Sequence, residues 1–223
     1  MWVTLSWAIL GIAVGLRSSQ RSRDRIREVQ ANGRAFASGQ FHTSSSFSVL
    51  YVACVTALFA GVAIRFDGFF ALLAYSVFVT VLVAHTFIDF DTHLLIRSVT
   101  TRATVVGVPF LFVAAPSRVF ASAVGAILMW GVLRLLLALS RGGLGKGDVA
   151  LAPFLGWFLG AMSVAHVFIA LVVSFVVAGF VVGIALVLRK VRRSTHVPFG
   201  PFLAIGSLVT VFAGTSISDW WLG

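Results

Sequence analysis

The sequence predicts an all-α integral membrane protein, a polytopic bundle of about eight transmembrane helices, and three observations carry that expectation. Hydrophobic residues make up 59% of the chain and charged residues 11%, against roughly 25% charged in a soluble domain. The mean hydropathy is +1.03. Apolar runs long enough for helices recur along the whole chain, separated by short basic segments. No long polar stretch is available to fold separately, so residues 1–223 read as a single membrane-embedded domain. Lys and Arg number 17 against 7 Asp and Glu, but the cations lie between apolar spans rather than along one polar face. In a membrane chain this pattern marks topology, and no nucleic-acid partner is expected.

The apolar runs fall at about 2–16, 46–64, 69–88, 103–115, 119–139, 149–161, 164–188 and 199–217. About 20 residues cross the hydrocarbon of a bilayer, within a range of about 17–25; the first, fourth and sixth runs are shorter and must extend, tilt or thin the bilayer. The first run is not a secretory signal, whose positive charges precede its apolar core. Here they follow it, at Arg17, Arg21, Arg23, Arg25, Arg27 and Arg34. That order places the amino terminus outside and a basic loop at about 17–45 in the cytoplasm. Counting onward through eight spans, these six join Arg97, Arg102, Arg141, Lys146, Arg189, Lys190, Arg192 and Arg193 on the inner side. Fourteen of the seventeen Lys and Arg are then cytoplasmic, with Arg65 and Arg118 outside and Arg134 within the fifth span. The rule that cytoplasmic loops carry the positive charge is satisfied.

Within the first loop, residues 35–45 read as a flexible linker, with Ser44, Ser45 and Ser46 at its end, and His42 as a solvated loop residue. The basic stretch before it is a topology anchor that also suits anionic lipid headgroups. Cys54 lies alone in an apolar run, so no internal disulfide and no Cys-based zinc site can form. No metal site is expected.

Two of the seven acids stand at the ends of apolar runs: Asp89, in Ile88-Asp89-Phe90-Asp91, and Asp148, in Gly145-Lys146-Gly147-Asp148. The charge count puts both on the cytoplasmic side. A carboxylate at membrane depth is costly and marks a candidate functional site. Hydrolysis of a peptide bond by two carboxyls needs one ionised, to activate water, and one protonated, to donate. Two carboxyls held close in a poorly solvated place share a proton, because ionising both is expensive. Gly142, Gly143, Gly145 and Gly147 allow a sharp bend and close approach of a substrate strand. A phosphate cradle would need a strand before the glycines, whereas a membrane span precedes them. Aspartates at helix ends also serve simply as caps, and that reading stands beside the chemical one for both residues.

These residues carry a family resemblance. Ile88-Asp89-Phe90-Asp91-Thr92-His93-Leu94-Leu95 resembles the first aspartate motif of type IV prepilin peptidases, and Gly145-Lys146-Gly147-Asp148-Val149 resembles their Gly-x-Gly-Asp motif, shared more loosely with presenilin-type intramembrane aspartyl proteases. Val197-Pro198-Phe199-Gly200-Pro201-Phe202-Leu203-Ala204 is similar to the stretch that opens the family's last span. The resemblance implies that Asp89 and Asp148 are the catalytic pair of a membrane aspartyl endopeptidase in the bacterial cytoplasmic membrane. It implies supporting roles for Asp91, His93, Gly145, Lys146, Gly147, Pro198, Phe199, Gly200 and Pro201. The implied substrate is a prepilin or pseudopilin with a hydrophobic amino-terminal helix, cut at the cytoplasmic face after the glycine that precedes that helix; membrane lipids are the other expected partners.

The family's first motif usually continues with proline where Ile96 stands, and proline would end the helix. Bifunctional members carry two Cys-x-x-Cys pairs in the first cytoplasmic loop; this loop has no cysteine. Proteolysis implies no cofactor, and S-adenosylmethionine enters only if a methyltransferase activity is retained. His85, four residues before Asp89, shares its helix face and is read as a hydrogen-bonding residue of the bundle. Gly179 and Gly183 have the spacing of close helix packing, and Trp157, Trp220 and Trp221 that of interface anchors. Two further readings differ in class: a transporter or scaffold using the aspartates for protons or partner contacts, and a degenerate peptidase. Neither cleaves a substrate.

Overall fold

The computed structural model describes residues 2–33, 40–93, 95–140, 144–188 and 199–222. Eight α-helices occur among them: α1 Trp2–Ala31, α2 Ser45–Arg65, α3 Phe69–Thr92, α4 Arg97–Ala114, α5 Val119–Leu139, α6 Lys146–Met162, α7 Val164–Val187 and α8 Gly200–Leu222. No strand occurs among the described residues, so the protein is all-α and polytopic, as its composition predicts. Five helices (α1, α2, α3, α5 and α7) are long and apolar enough, by length and composition, to cross a membrane. The chain forms two compact units, residues 1–117 and 118–223.

In the first unit α3 packs against α1, α2 and α4. It is the enclosed helix, with 72% of its most apolar window buried against 17% for α1 and 28% for α2. The less enclosed helices turn side chains such as Ile9 and Val49 outward, which suits a hydrocarbon solvent that helices face with apolar groups.

α1 departs from the expected boundary. Its apolar run stops at Leu16, but the helix continues to Ala31, so residues 17–31 of the expected loop are helical. The buried residues Gly11, Gly15, Ser19, Ser22 and Ile26 follow steps of four, four, three and four, which keep one stripe against the neighbouring helices. The stripe is small enough for α2 to come close: a Cβ on Gly15 would lie 3.1 Å from the Val52 Cα. Gly33, at φ +63, closes this segment in a left-handed conformation that glycine adopts without cost. Phe41–Thr43 forms a 3₁₀ turn, and the Ser44 hydroxyl caps α2 by accepting from the Ser46 N–H. Residues 41–45 are thus ordered turn and helix start rather than linker.

In the second unit α5 and α6 cross closely. A Cβ on Gly125 would overlap the Gly156 carbonyl, and a Cβ on Gly160 would come within 2.6 Å of the Ala121 carbonyl. Glycines let the two backbones meet, as small residues do in membrane helix pairs. Gly206 of α8 packs in the same way on Ser174 of α7. Gly179 and Gly183, expected to do this, have nothing within 4 Å of an added Cβ. Their spacing is right, but neither glycine is in close contact with another helix among the described residues of the second unit.

Candidate active site

Asp89 lies in the last turn of α3 and is buried, 3% exposed. The turn beyond it is fixed by His93, which caps the helix at φ 50 and ψ 37 and donates its N–H to the Asp89 carbonyl at 2.8 Å. The His93 Nδ1 lies 3.1 Å from the same carbonyl. Partial burial lowers the pKa of the His93 imidazole, so the ring is neutral near pH 7. His93 therefore touches the main chain of Asp89 rather than its carboxyl.

Asp91 and Asp89 separate in role. Asp91, 1% exposed, accepts from the backbone N–H of His42 at 2.7 Å and of Phe41 at 3.3 Å, and its Oδ2 lies 2.9 Å from the His42 Nδ1. His42 is consequently buried, 4% exposed, and not a solvated loop residue. The clamp is walled by aromatics. The Phe87 ring meets Phe47 edge-on at 5.2 Å and Tyr51 at 5.0 Å, and Phe41 lies 5.8 Å from Phe90. Arg23 of α1 donates to the Ser44 carbonyl at 2.7 Å and lies over the Phe47 ring at 5.3 Å. The Asp89-bearing end of α3 is thereby held by α1, by the 3₁₀ turn and by α2.

On the other side of Asp89, His85 is buried with its Nε2 2.8 Å from the Thr100 hydroxyl of α4, the bundle bond expected for it. α4 begins at Arg97, six residues earlier than its apolar run, so Arg102 is helical. Ile96 occupies its N-cap at φ −88 and ψ 105, with its carbonyl accepting from the Val99 N–H at 3.0 Å. The extended conformation that ends one segment and starts the next is reached here without the family's proline.

Asp148 is the third residue of α6 and 3% exposed. Its Oδ2 accepts from the Gly145 N–H at 3.2 Å, the half of a capping box that reaches from the first turn back to the N-cap. The capping role weighed for this residue is therefore real, and it takes one oxygen. Gly145 sits at φ −73 and ψ 139, a conformation open to any residue. What its missing side chain leaves is room for the carboxyl, since a Cβ there would lie 2.9 Å from Asp148 Oδ2 and make it shift. Asp148 stands one residue ahead of the apolar run 149–161, at the end of the span. Burial raises its pKa to about 7, opposed by the Gly145 N–H, which lowers it. An ordinary carboxyl becomes one that keeps a proton near neutrality. Lys146 is exposed in the same turn and Gly147 half-exposed; Lys146 forms no ion pair among the described residues.

Of the third motif, Pro198 lies outside the described residues. Phe199 immediately precedes α8, its carbonyl accepting from Phe202 and Leu203 N–H at 3.0 and 3.1 Å. Gly200 and Pro201 fill the first turn, where proline's missing N–H has no helical partner to lose. The Phe199 ring lies 5.0 Å from Phe175 of α7. Among the described residues no three His, Cys, Asp or Glu side chains gather as a metal-binding group.

Residues 76–188, which contain both aspartates, match the type IV leader peptidase family. The chain belongs to that family. It is 35% identical over 148 residues to a prepilin leader peptidase/N-methyltransferase of Aeromonas hydrophila, covering 64% of this chain and 50% of that protein. It is 30% identical over 195 residues to one of Legionella pneumophila, covering 82% and 66%. A third, of Bacillus subtilis, is 28% identical over 178 residues, covering 78% and 67%. This leader peptidase family member thus spans between half and two thirds of the length of these relatives. No solved structure matches it.

Proposed function

We propose that this chain is an aspartyl endopeptidase that removes the leader of prepilin- or pseudopilin-like proteins, with Asp89 and Asp148 as the catalytic pair. The observation that carries the reading is the state of Asp148: a buried carboxyl at a helix start, inside the family match, with a pKa raised to about 7. Burial suits Asp148 to hold the proton that such a pair shares, and the proposed mechanism then gives the ionised role to Asp89. Asp89 takes a proton from water as the water oxygen adds to the scissile carbonyl. Asp148 donates its proton to the carbonyl oxygen, and collapse of the tetrahedral intermediate expels the amine with a proton returned to it. Placement of both aspartates at the cytoplasmic face rests on the distribution of Lys and Arg. Cleavage after the glycine that precedes the substrate's hydrophobic segment follows from the family resemblance. The proposal is confined to proteolysis.

The test is processing of a co-expressed prepilin by Asp89→Asn and Asp148→Asn variants, with Ala at each position as the second substitution. Both positions should abolish cleavage while the protein stays membrane-inserted, and serine- and metalloprotease inhibitors should leave the wild type active. Unimpaired cleavage by either variant would remove that aspartate from the mechanism.

A further inference from the structure

The first unit contains a cavity of about 720 Å³ between α1, α3 and α4. One wall is α3, with Val81, Ala84 and Ile88 from its apolar run. Thr80 is the one polar residue on that wall, and the opposite walls are mostly polar: Ser22 and Arg21 of α1, and Arg102 beside Val99 of α4. Two acids, Asp24 and Glu28, also line it. Glu28 is occupied by Arg25 at 2.6 Å, and Asp24 lies 3.9 Å from Arg27. Among the described residues Arg21 and Arg102 take part in no ion pair. The cavity therefore sets two uncommitted guanidinium groups, from two different helices, against an apolar helix face. A guanidinium presents several N–H donors in the fork geometry that fits phosphate oxygens.

We propose that this cavity is a binding site for an anionic phospholipid, its phosphate held by Arg21 and Arg102 and its glycerol and upper acyl chain against Val81, Ala84 and Ile88. The mixed lining selects the occupant. A free phosphate would use the arginines and leave the apolar wall unoccupied, and a plain acyl chain would leave the arginines unpaired. Basic pockets between membrane helices hold anionic lipid headgroups in this way. The extension of α1 beyond Leu16 gains a purpose, since without helix at 17–28 Arg21 would not stand over α3.

Protein purified in a nonionic maltoside detergent is titrated with dioleoylphosphatidylglycerol, with dioleoylphosphatidylcholine and with inorganic phosphate; bound lipid is counted by native mass spectrometry and protection read by thermal unfolding. Phosphatidylglycerol should be retained at least tenfold better than phosphatidylcholine. The Arg21→Gln/Arg102→Gln variant should lose most of that preference, while Arg97→Gln, on the same helix as Arg102 but outside the cavity, should keep it. Equal retention of the two lipids by the wild type overturns the site, as does an unchanged preference in the double variant. Protection by millimolar phosphate equal to that by phosphatidylglycerol overturns the lipid as occupant. If the double variant does not fold, the wild-type competition decides alone.

Discussion

Asp91 Oδ2 accepts the backbone N–H of His42 at 2.7 Å and lies 2.9 Å from that residue's Nδ1, tying the last turn of α3 to the turn that opens α2 across 49 residues of sequence. Two residues separate Asp91 from Asp89, yet successive helix positions point to different neighbours. Asp91 is spent on this clamp, which fixes the helix end that presents Asp89.

Removing the Asp91 carboxylate leaves a buried backbone N–H, a part-buried one and an imidazole without their acceptor. Asp91→Ala should cost about 1–3 kcal/mol or more of stability. His42→Ala should cost less, because the backbone bonds to Asp91 survive. The two together should fall short of additive, since they share one interaction. Thermal unfolding of the four proteins in detergent measures the coupling; strict additivity would mean that the side chains do not interact.

Gly145→Ala is expected to separate folding from activity. The backbone at φ −73 accepts alanine, but the new Cβ crowds Asp148 Oδ2 at 2.9 Å, and the short carboxyl must turn away from the Gly145 N–H. Loss of one such hydrogen bond is about 0.5–1.5 kcal/mol, so prepilin cleavage should fall by up to about tenfold where the reaction needs the carboxyl held there. Helical content by circular dichroism should be unchanged. Full activity would show that the carboxyl's tie to Gly145 does not matter to the chemistry.

Asp148 also predicts a pH dependence of stability. Its carboxyl titrates near the usual 3.8 when unfolded and at about 7 when folded. Between those values the folded state holds a proton that the unfolded state has lost. Stability contributed by this group is therefore full below about pH 3.8 and is lost as pH rises to about 7. Each unit of difference is about 1.4 kcal/mol, so the loss is on the order of a few kcal/mol. Wild type should lose apparent Tm relative to Asp148→Asn between pH 4.5 and 7.5. Parallel curves would show that Asp148 does not hold the proton.

The helix crossings give a steric prediction. A Cβ at Gly156 would lie 2.7 Å from the Ala126 Cα, backbone that cannot move aside, so Gly156→Ala should destabilise by about 1–3 kcal/mol or more. Gly183→Ala meets nothing within 4 Å and should be neutral or slightly stabilising, because alanine favours helix. Equal effects on thermal unfolding would contradict the packing of α5 on α6.

The eight helices were legible in the sequence, and so was the position of Asp89 and Asp148 at helix ends. The reason is physical: a bilayer demands long apolar segments whose ends are marked by charge, and Asp89 and Asp148 sit at such ends. Legibility failed where an element is held by neighbours rather than by its own pattern. α1 looked finished at Leu16 because its apolar run ends there, and only the buried stripe through Ser19, Ser22 and Ile26 signals that it continues. His42 looked solvated because its partner lies 49 residues away, and no local pattern announces Asp91.

By itself, then, the sequence determined the all-α membrane class, the number of helices and the positions of the two aspartates at helix ends. Tertiary structure alone decided which glycines lie at helix crossings, that Asp91 belongs to a clamp, and that burial raises the pKa of Asp148. Hydropathy and motif spacing are local properties, readable residue by residue. Close approach, hydrogen-bond partnership and desolvation are set by whichever distant segment comes to lie alongside.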